Sequence, residues 1–167
     1  MVHAALFVAL ICVGAFIAIP IGPVPIVLQN MFVLLAGLIL GPAWGTACVA
    51  VYLLIGLAGL PVFAGGTSGI GKIFGPTGGY LLGYLPAVLV TGAISRFLGQ
   101  TPFRDILAMI GGSIMLYGVG VPWLKLAFSL SWGQALALGL IPFLLGDAVK
   151  IAGAVVMARK IRPLLKE

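Results

Sequence analysis

Between residues 141 and 159 the chain reads IPFLLGDAVKIAGAVVMAR, an apolar stretch with two full charges, Asp147 and Lys150, set inside it. Pro142 suits the first turn of a helix, and the eighteen residues 142–159 then extend about 27 Å, close to the thickness of a bilayer's hydrocarbon core. Residues three apart on a helix share a face, so both charges point the same way. A charge turned to lipid costs a few kcal/mol even on insertion scales. Such residues therefore face a bundle interior or a watery cavity and pair there. With a start at Pro142 the pair lies in the first two turns, whereas a helix beginning near Ala135 brings it closer to the midplane. The rest of the chain has to build the bundle that encloses it.

Composition allows this and little else. Of 167 residues, 62% are hydrophobic and 7% charged, against about a quarter charged in soluble domains. The expected fold class is an all-α integral membrane protein, a single domain over residues 1–167. Six spans are expected, at about residues 4–19, 26–40, 43–60, 80–98, 106–121 and 142–159. No basic n-region precedes the first run, which is read as a retained span. Pro20, Pro23 and Pro25 cannot continue a helix and make a rigid connection after span 1. Gly41-Pro42 is a tight turn, Trp44 and Tyr52 are candidate interface anchors, and Pro122-Trp123 is expected to end span 5.

The net charge of +6 lacks a basic surface domain to carry it, which excludes nucleic-acid binding. The positive charges serve as topology signals instead. Arg96 and Arg104 flank the polar turn between spans 4 and 5, a turn that also contains Asp105. Arg159, Lys160, Arg162 and Lys166 follow span 6. Both groups fall on one side, which the positive-inside rule makes cytoplasmic, together with the N- and C-termini. Cys12 and Cys48 stand in apolar runs without metal-ligand spacing, and no metal site is expected.

Residues 61–79 form the most unusual segment. Seven of these nineteen are glycine, yet Phe63, Ile70, Ile73 and Phe74 are apolar, unlike a solvated linker. Such a loop can fold into protein and bring backbone N–H groups to a ligand, as a lid or binding loop on the outer side. Its GTSGIGK (66–72) approximates a phosphate-binding loop, but Ile73 replaces the magnesium-binding hydroxyl and no strand–helix unit surrounds it. Its Gly-Thr-Ser68-Gly also approximates an intramembrane serine protease motif, for which the single His3 is a remote base. Neither enzyme is expected. Asp147 and Lys150 keep two readings: an ion pair that holds the bundle, or the polar end of an apolar small-molecule pocket. Gln29 and Asn30 likewise either cap the start of span 2 or touch a ligand.

Four segments occur together and in order: GPVPIVLQNMFVLLAGLILGP (22–42), GLPVFAGGTSGIGKIFGPTGGYLLGY (59–84), YGVGVPWL (117–124) and PFLLGDAVKI (142–151). The chain they cover resembles the biotin-specific substrate-binding (S) component of energy-coupling-factor (ECF) vitamin transporters, the BioY family. One departure is Leu145, where a second proline is common in that family. The resemblance implies six helices and biotin bound from outside. It also implies no enzymatic activity and no cofactor, with ATP used only by partners: a transmembrane scaffold subunit and two cytoplasmic ATPase subunits, in a prokaryotic cytoplasmic membrane. On that expectation Asp147 accepts the urea N–H groups of biotin and Lys150 donates to a ligand oxygen. Gly65, Gly66 and Thr67 close over it, Phe63 and Tyr80 form wall, and Gln29 contributes an amide. The Ala5-x-x-x-Ala9 pair on the first helix meets the scaffold. An S component for another vitamin and a stand-alone secondary transporter are the alternatives.

Overall fold

The computed structural model describes residues 2–164; Lys166, read above as a topology signal, lies outside them. In chain order the elements are α1 (Val2–Phe16), β1 (Ala18–Ile19), β2 (Ile26–Val27), α2 (Gln29–Leu57), α3 (Gly71–Phe74), α4 (Gly78–Leu98), α5 (Pro102–Ala127), α6 (Trp132–Gly139) and α7 (Ile141–Leu164). Among the described residues, four apolar stretches are long enough to cross a membrane: Gln29–Leu57, Gly78–Leu98, Pro102–Ala127 and Trp132–Leu164. α4 packs most extensively, against α2 on one side and α5 on the other, while α7 lies on α2, α5 and α6.

α2 is not one rod. At Gly41 the backbone adopts φ 80° and ψ 179°, a conformation that only glycine takes without strain, and Pro42 then begins a new helical limb. The two limbs fold against each other, because a Cβ placed on Gly45 would stand 2.9 Å from the Gly37 Cα. In a continuous helix those residues would be about 12 Å apart. Glycine on both sides of the crossing is what allows so close an approach.

Several expectations are corrected. Span 1 was expected to reach residue 19, but α1 stops at Phe16 and Ala18–Ile19 pairs antiparallel with Ile26–Val27. Prolines 20, 23 and 25 bar a helix and bias the residues before them to extended backbone, whose polar groups then pair across a two-stranded ladder. The all-α expectation gains this ribbon. Pro122 does not end span 5, since α5 continues to Ala127. In lipid an opened turn finds no water, so losing one hydrogen bond at a proline is cheaper than stopping the helix. Tyr52 is no interface anchor. It is fully enclosed and meets Phe63 edge-on, with ring centroids 5.6 Å apart.

Asp105 and Arg162 also differ from their expected roles. Asp105 lies in the first turn of α5 and faces inward, with 0% of its surface exposed. Arg162 reaches it from the end of α7 with two N–H···O bonds, of 2.6 and 2.9 Å. The same guanidinium bonds the Leu38 carbonyl at 3.1 Å and the Ser95 hydroxyl at 3.4 Å. A bidentate clamp thus ties together α5, α7, α4 and the first limb of α2.

The glycine-rich segment is folded onto the bundle. Phe63 turns inward with 1% exposure, and its backbone pairs with Thr67 across a tight loop in which Gly65 and Gly66 hold φ of 71° and 72°. The Gly69 N–H donates to the Gly56 carbonyl at 2.8 Å, and Trp123 Nε1 donates to the Gly75 carbonyl at 3.0 Å. α6 begins with a capping box between Ser131 and Gln134. It ends where the Tyr80 hydroxyl donates to the Gly139 carbonyl at 2.8 Å, occupying an acceptor that the helix end leaves open. After the break at Leu140, α7 starts afresh, so Asp147 and Lys150 occupy its early turns.

Candidate ligand-binding site

The break before α7 aims Asp147 and Lys150 at the start of α2, where Asn30 meets both. Asn30 Nδ2 donates to Asp147 Oδ1 at 2.8 Å, and Lys150 Nζ donates to Asn30 Oδ1 at 3.0 Å. Lys150 Nζ also bonds Asp147 Oδ1 at 3.1 Å, closing a three-membered ring of groups. The other carboxylate oxygen accepts from the Tyr117 hydroxyl on α5. Asp147 and Asn30 are 6% and 7% exposed, so a charged group leaves water here only with its partners in place. Tyr117 is held by its neighbours, its ring lying 6.4 Å from those of both Tyr80 and Phe143.

Two adjoining cavities lie beside this cluster, the smaller in contact with it. The smaller, about 40 Å³, is bounded by Asn30, Tyr117, Phe143 and Lys150. The larger, about 160 Å³, is bounded by Gln29, Phe63, Thr67, Lys72 and Leu81 among others. Both share Val24, Pro25, Val27, Tyr80 and Tyr84, so they form the two ends of one elongated space. The proline-rich connection after α1 makes one wall, α4 the opposite one, and the glycine-rich loop the roof. Charge is divided along the space: Lys150, with Asn30 and Tyr117, stands at one end with Asp147 bonded behind them, and Lys72 stands at the other. A further hollow, about 630 Å³, lies between α5 and α7 and shares Tyr117 and Asp147 with the cluster. Its remaining walls are aliphatic except for Ser113.

The expected site residues separate on this geometry. Asp147 and Lys150 form the polar cluster, and Gln29, Phe63, Thr67 and Tyr80 line the larger cavity. Gly65 and Gly66 stand apart from the lining. The Gly65 N–H donates to the Ala15 carbonyl at 3.3 Å and Gly66 faces Phe16, so they shape the turn that inserts Phe63. Gln29 is enclosed, with its amide nitrogen lacking a hydrogen-bond partner. Ala5 and Ala9 lie on the exposed side of α1, away from the enclosed Phe7 and Ile11. Asn30 was offered from the sequence either as a cap or as a ligand contact, and the structure places it in the polar cluster; Tyr117, Tyr84 and Lys72 were not singled out as ligand contacts. Tyr117 carried a signal, as a hydroxyl in an apolar helix where such groups seek partners.

A closed polar cluster inside a membrane helix bundle, under a folded loop and beside an elongated cavity, defines a membrane protein built to hold a small solute. The comparisons then make the assignment. The chain matches the BioY family over residues 1–167 and belongs to that family. It is 42% identical to the probable biotin transporter BioY of Pyrococcus horikoshii over 158 residues, covering 95% of this chain and 93% of the relative. It is 38% identical to the biotin transporter BioY of Thermotoga maritima over 165 residues, covering 98% and 96%. A solved S-component for biotin from an ECF-type ABC transporter superposes with a TM-score of 0.91 at 35% identity, covering 97% of this chain and 89% of that one.

Proposed function

We propose that the chain captures biotin at the outer face of the cytoplasmic membrane and acts as the S component of an ECF transporter. The observation that carries this reading is the Asp147–Asn30–Lys150–Tyr117 cluster, three of whose members bound one end of an elongated cavity, in a chain of this family. Biotin has an apolar bicyclic body with a urea at one end and a carboxylate at the other. An acid beside an ammonium suits the urea, which donates N–H and accepts at C=O. Lys72, alone of the cavity residues in carrying a full charge at the loop end, suits the carboxylate, with the Gln29 amide nitrogen as a further donor. Phe63, Tyr80 and Tyr84 supply apolar surface between them. Gly65 and Gly66 enter only by setting the turn of the loop.

Six crossings follow when α1, the two limbs of α2, α4, α5 and α7 each traverse the bilayer. The basic ends of α4 and α7 then lie in the cytoplasm with both termini, and the loop lies outside. Nothing in the cluster is arranged for hydrolysis. Energy comes from a scaffold subunit and two ATPase subunits, with the exposed Ala5 and Ala9 as the docking stripe on α1. Binding of biotin to the purified protein by titration calorimetry, with thiamin and riboflavin as comparators, tests the reading. The expected result is one biotin per chain and no heat from the other vitamins. Folded protein that ignores biotin, or prefers another vitamin, overturns it.

A further inference from the structure

We infer that the Asn30 side chain is an internal stand-in for the ligand's urea, holding the site in order until biotin replaces it. The inference rests on the biotin reading above. A carboxamide is chemically one half of a urea, with one N–H edge beside one C=O. Asn30 presents that half to the two charged groups expected to read the ligand: its Nδ2 donates to Asp147 Oδ1 at 2.8 Å and its Oδ1 accepts from Lys150 Nζ at 3.0 Å. For Asp147 and Lys150 the exchange of one for the other conserves hydrogen bonds, N–H to carboxylate and C=O from ammonium. It therefore avoids the penalty of baring a buried charge.

Space argues the same way. The cavity at this end, about 40 Å³, is near the volume of a single water and far below that of a fused two-ring body. Something must leave for a ring to enter, and Tyr80, held by its hydroxyl on the Gly139 carbonyl, Phe143 and the prolines of the wall have nothing to gain by moving. Asn30 lies in the first turn of α2, next to the extended residues 26–27, where a short side chain can turn aside without unwinding a helix. Its carboxamide also sets specificity, since the group that displaces it must offer the same donor–acceptor pair, as a cyclic urea or lactam does.

Asn30 is the single asparagine of the chain, so asparagine carrying a ¹⁵N-labelled amide gives one side-chain NH₂ signal in the full-length protein. With saturating biotin, its protons are expected to lose their carboxylate-bonded position and exchange with solvent faster. Protons that keep both position and protection overturn the inference. Asn30→Ala supplies a second readout: a lower melting temperature without ligand, and biotin held roughly tenfold more tightly because nothing competes for Asp147. Weaker binding by a folded Asn30→Ala variant means that the amide supports the bound ligand, and also overturns it. In both cases the function reading survives as long as the unsubstituted chain binds biotin. Should that chain bind none, the function reading falls first and this inference with it.

Discussion

Replacing Arg162 by methionine strips the only countercharge within bonding distance of Asp105 among the described residues. Asp105 is wholly enclosed, and both its carboxylate oxygens accept from the guanidinium, at 2.6 and 2.9 Å. Removing one partner of a buried pair leaves an uncompensated charge and costs about 3–5 kcal/mol. For a chain of this size each kcal/mol moves the melting temperature by about 2–4 °C, so Arg162→Met should unfold roughly 6–20 °C lower. Tryptophan fluorescence during heating in detergent reads this, with Trp44, Trp123 and Trp132 as probes. Adding Asp105→Leu removes the stranded acid and should recover most of the loss, since apolar replacement of a whole buried pair is often neutral. Biotin affinity should be unchanged in the folded variant, because Arg162 stands fifteen residues, or about 22 Å, along α7 from Asp147. A single variant that melts with the unsubstituted protein, or a double variant no better than the single, refutes the clamp.

Other expectations bear on the two ends of the ligand and on the partner face. Lys72→Ala should weaken biotin by about 10- to 100-fold, the worth of one charge-assisted hydrogen bond, and leave biotin amide nearly unaffected in a competition assay. Equal losses for acid and amide place the carboxylate elsewhere. Ala5→Leu together with Ala9→Leu should leave biotin binding intact and abolish co-purification with the scaffold subunit. Retained assembly rules out that stripe. Gly45→Val puts branched carbon where the Gly37 backbone already lies 2.9 Å from a Cβ, and should destabilise by about 1–3 kcal/mol or more, seen as a fall in melting temperature.

What the sequence disclosed follows from which forces act locally. Apolar runs and prolines report on the neighbouring few residues, so the reversal at Gly41-Pro42 and the start of α7 near Pro142 were readable. The Asp147–Lys150 ion pair was readable too, since a spacing of three fixes a shared face whatever surrounds it. Asn30 was not, because Gln29 and Asn30 are adjacent on a helix and face directions about 100° apart. Choosing between them needs the angle at which the chain leaves the Ile26–Val27 strand. Arg162 posed the same problem among several basic residues, and only the position of the α5 start selects it over its neighbours. Pro122 misled for a different reason. Its helix-breaking tendency is a statement about water, and α5 spans an apolar medium where an open turn has no other partner. Gly65 and Gly66 were legible as a turn, but a turn that inserts Phe63 and a turn that covers a ligand have the same sequence.

The central claim is that Asp147 reads the ligand's urea. Titration of biotin into the purified chain and into Asp147→Asn, both verified as folded, tests it most directly. The substitution keeps shape and removes the acceptor charge. One site should persist in the unsubstituted chain, and Asp147→Asn should bind more weakly by about 2–5 kcal/mol, roughly thirtyfold to several thousandfold. Equal affinity in the two proteins would contradict the account.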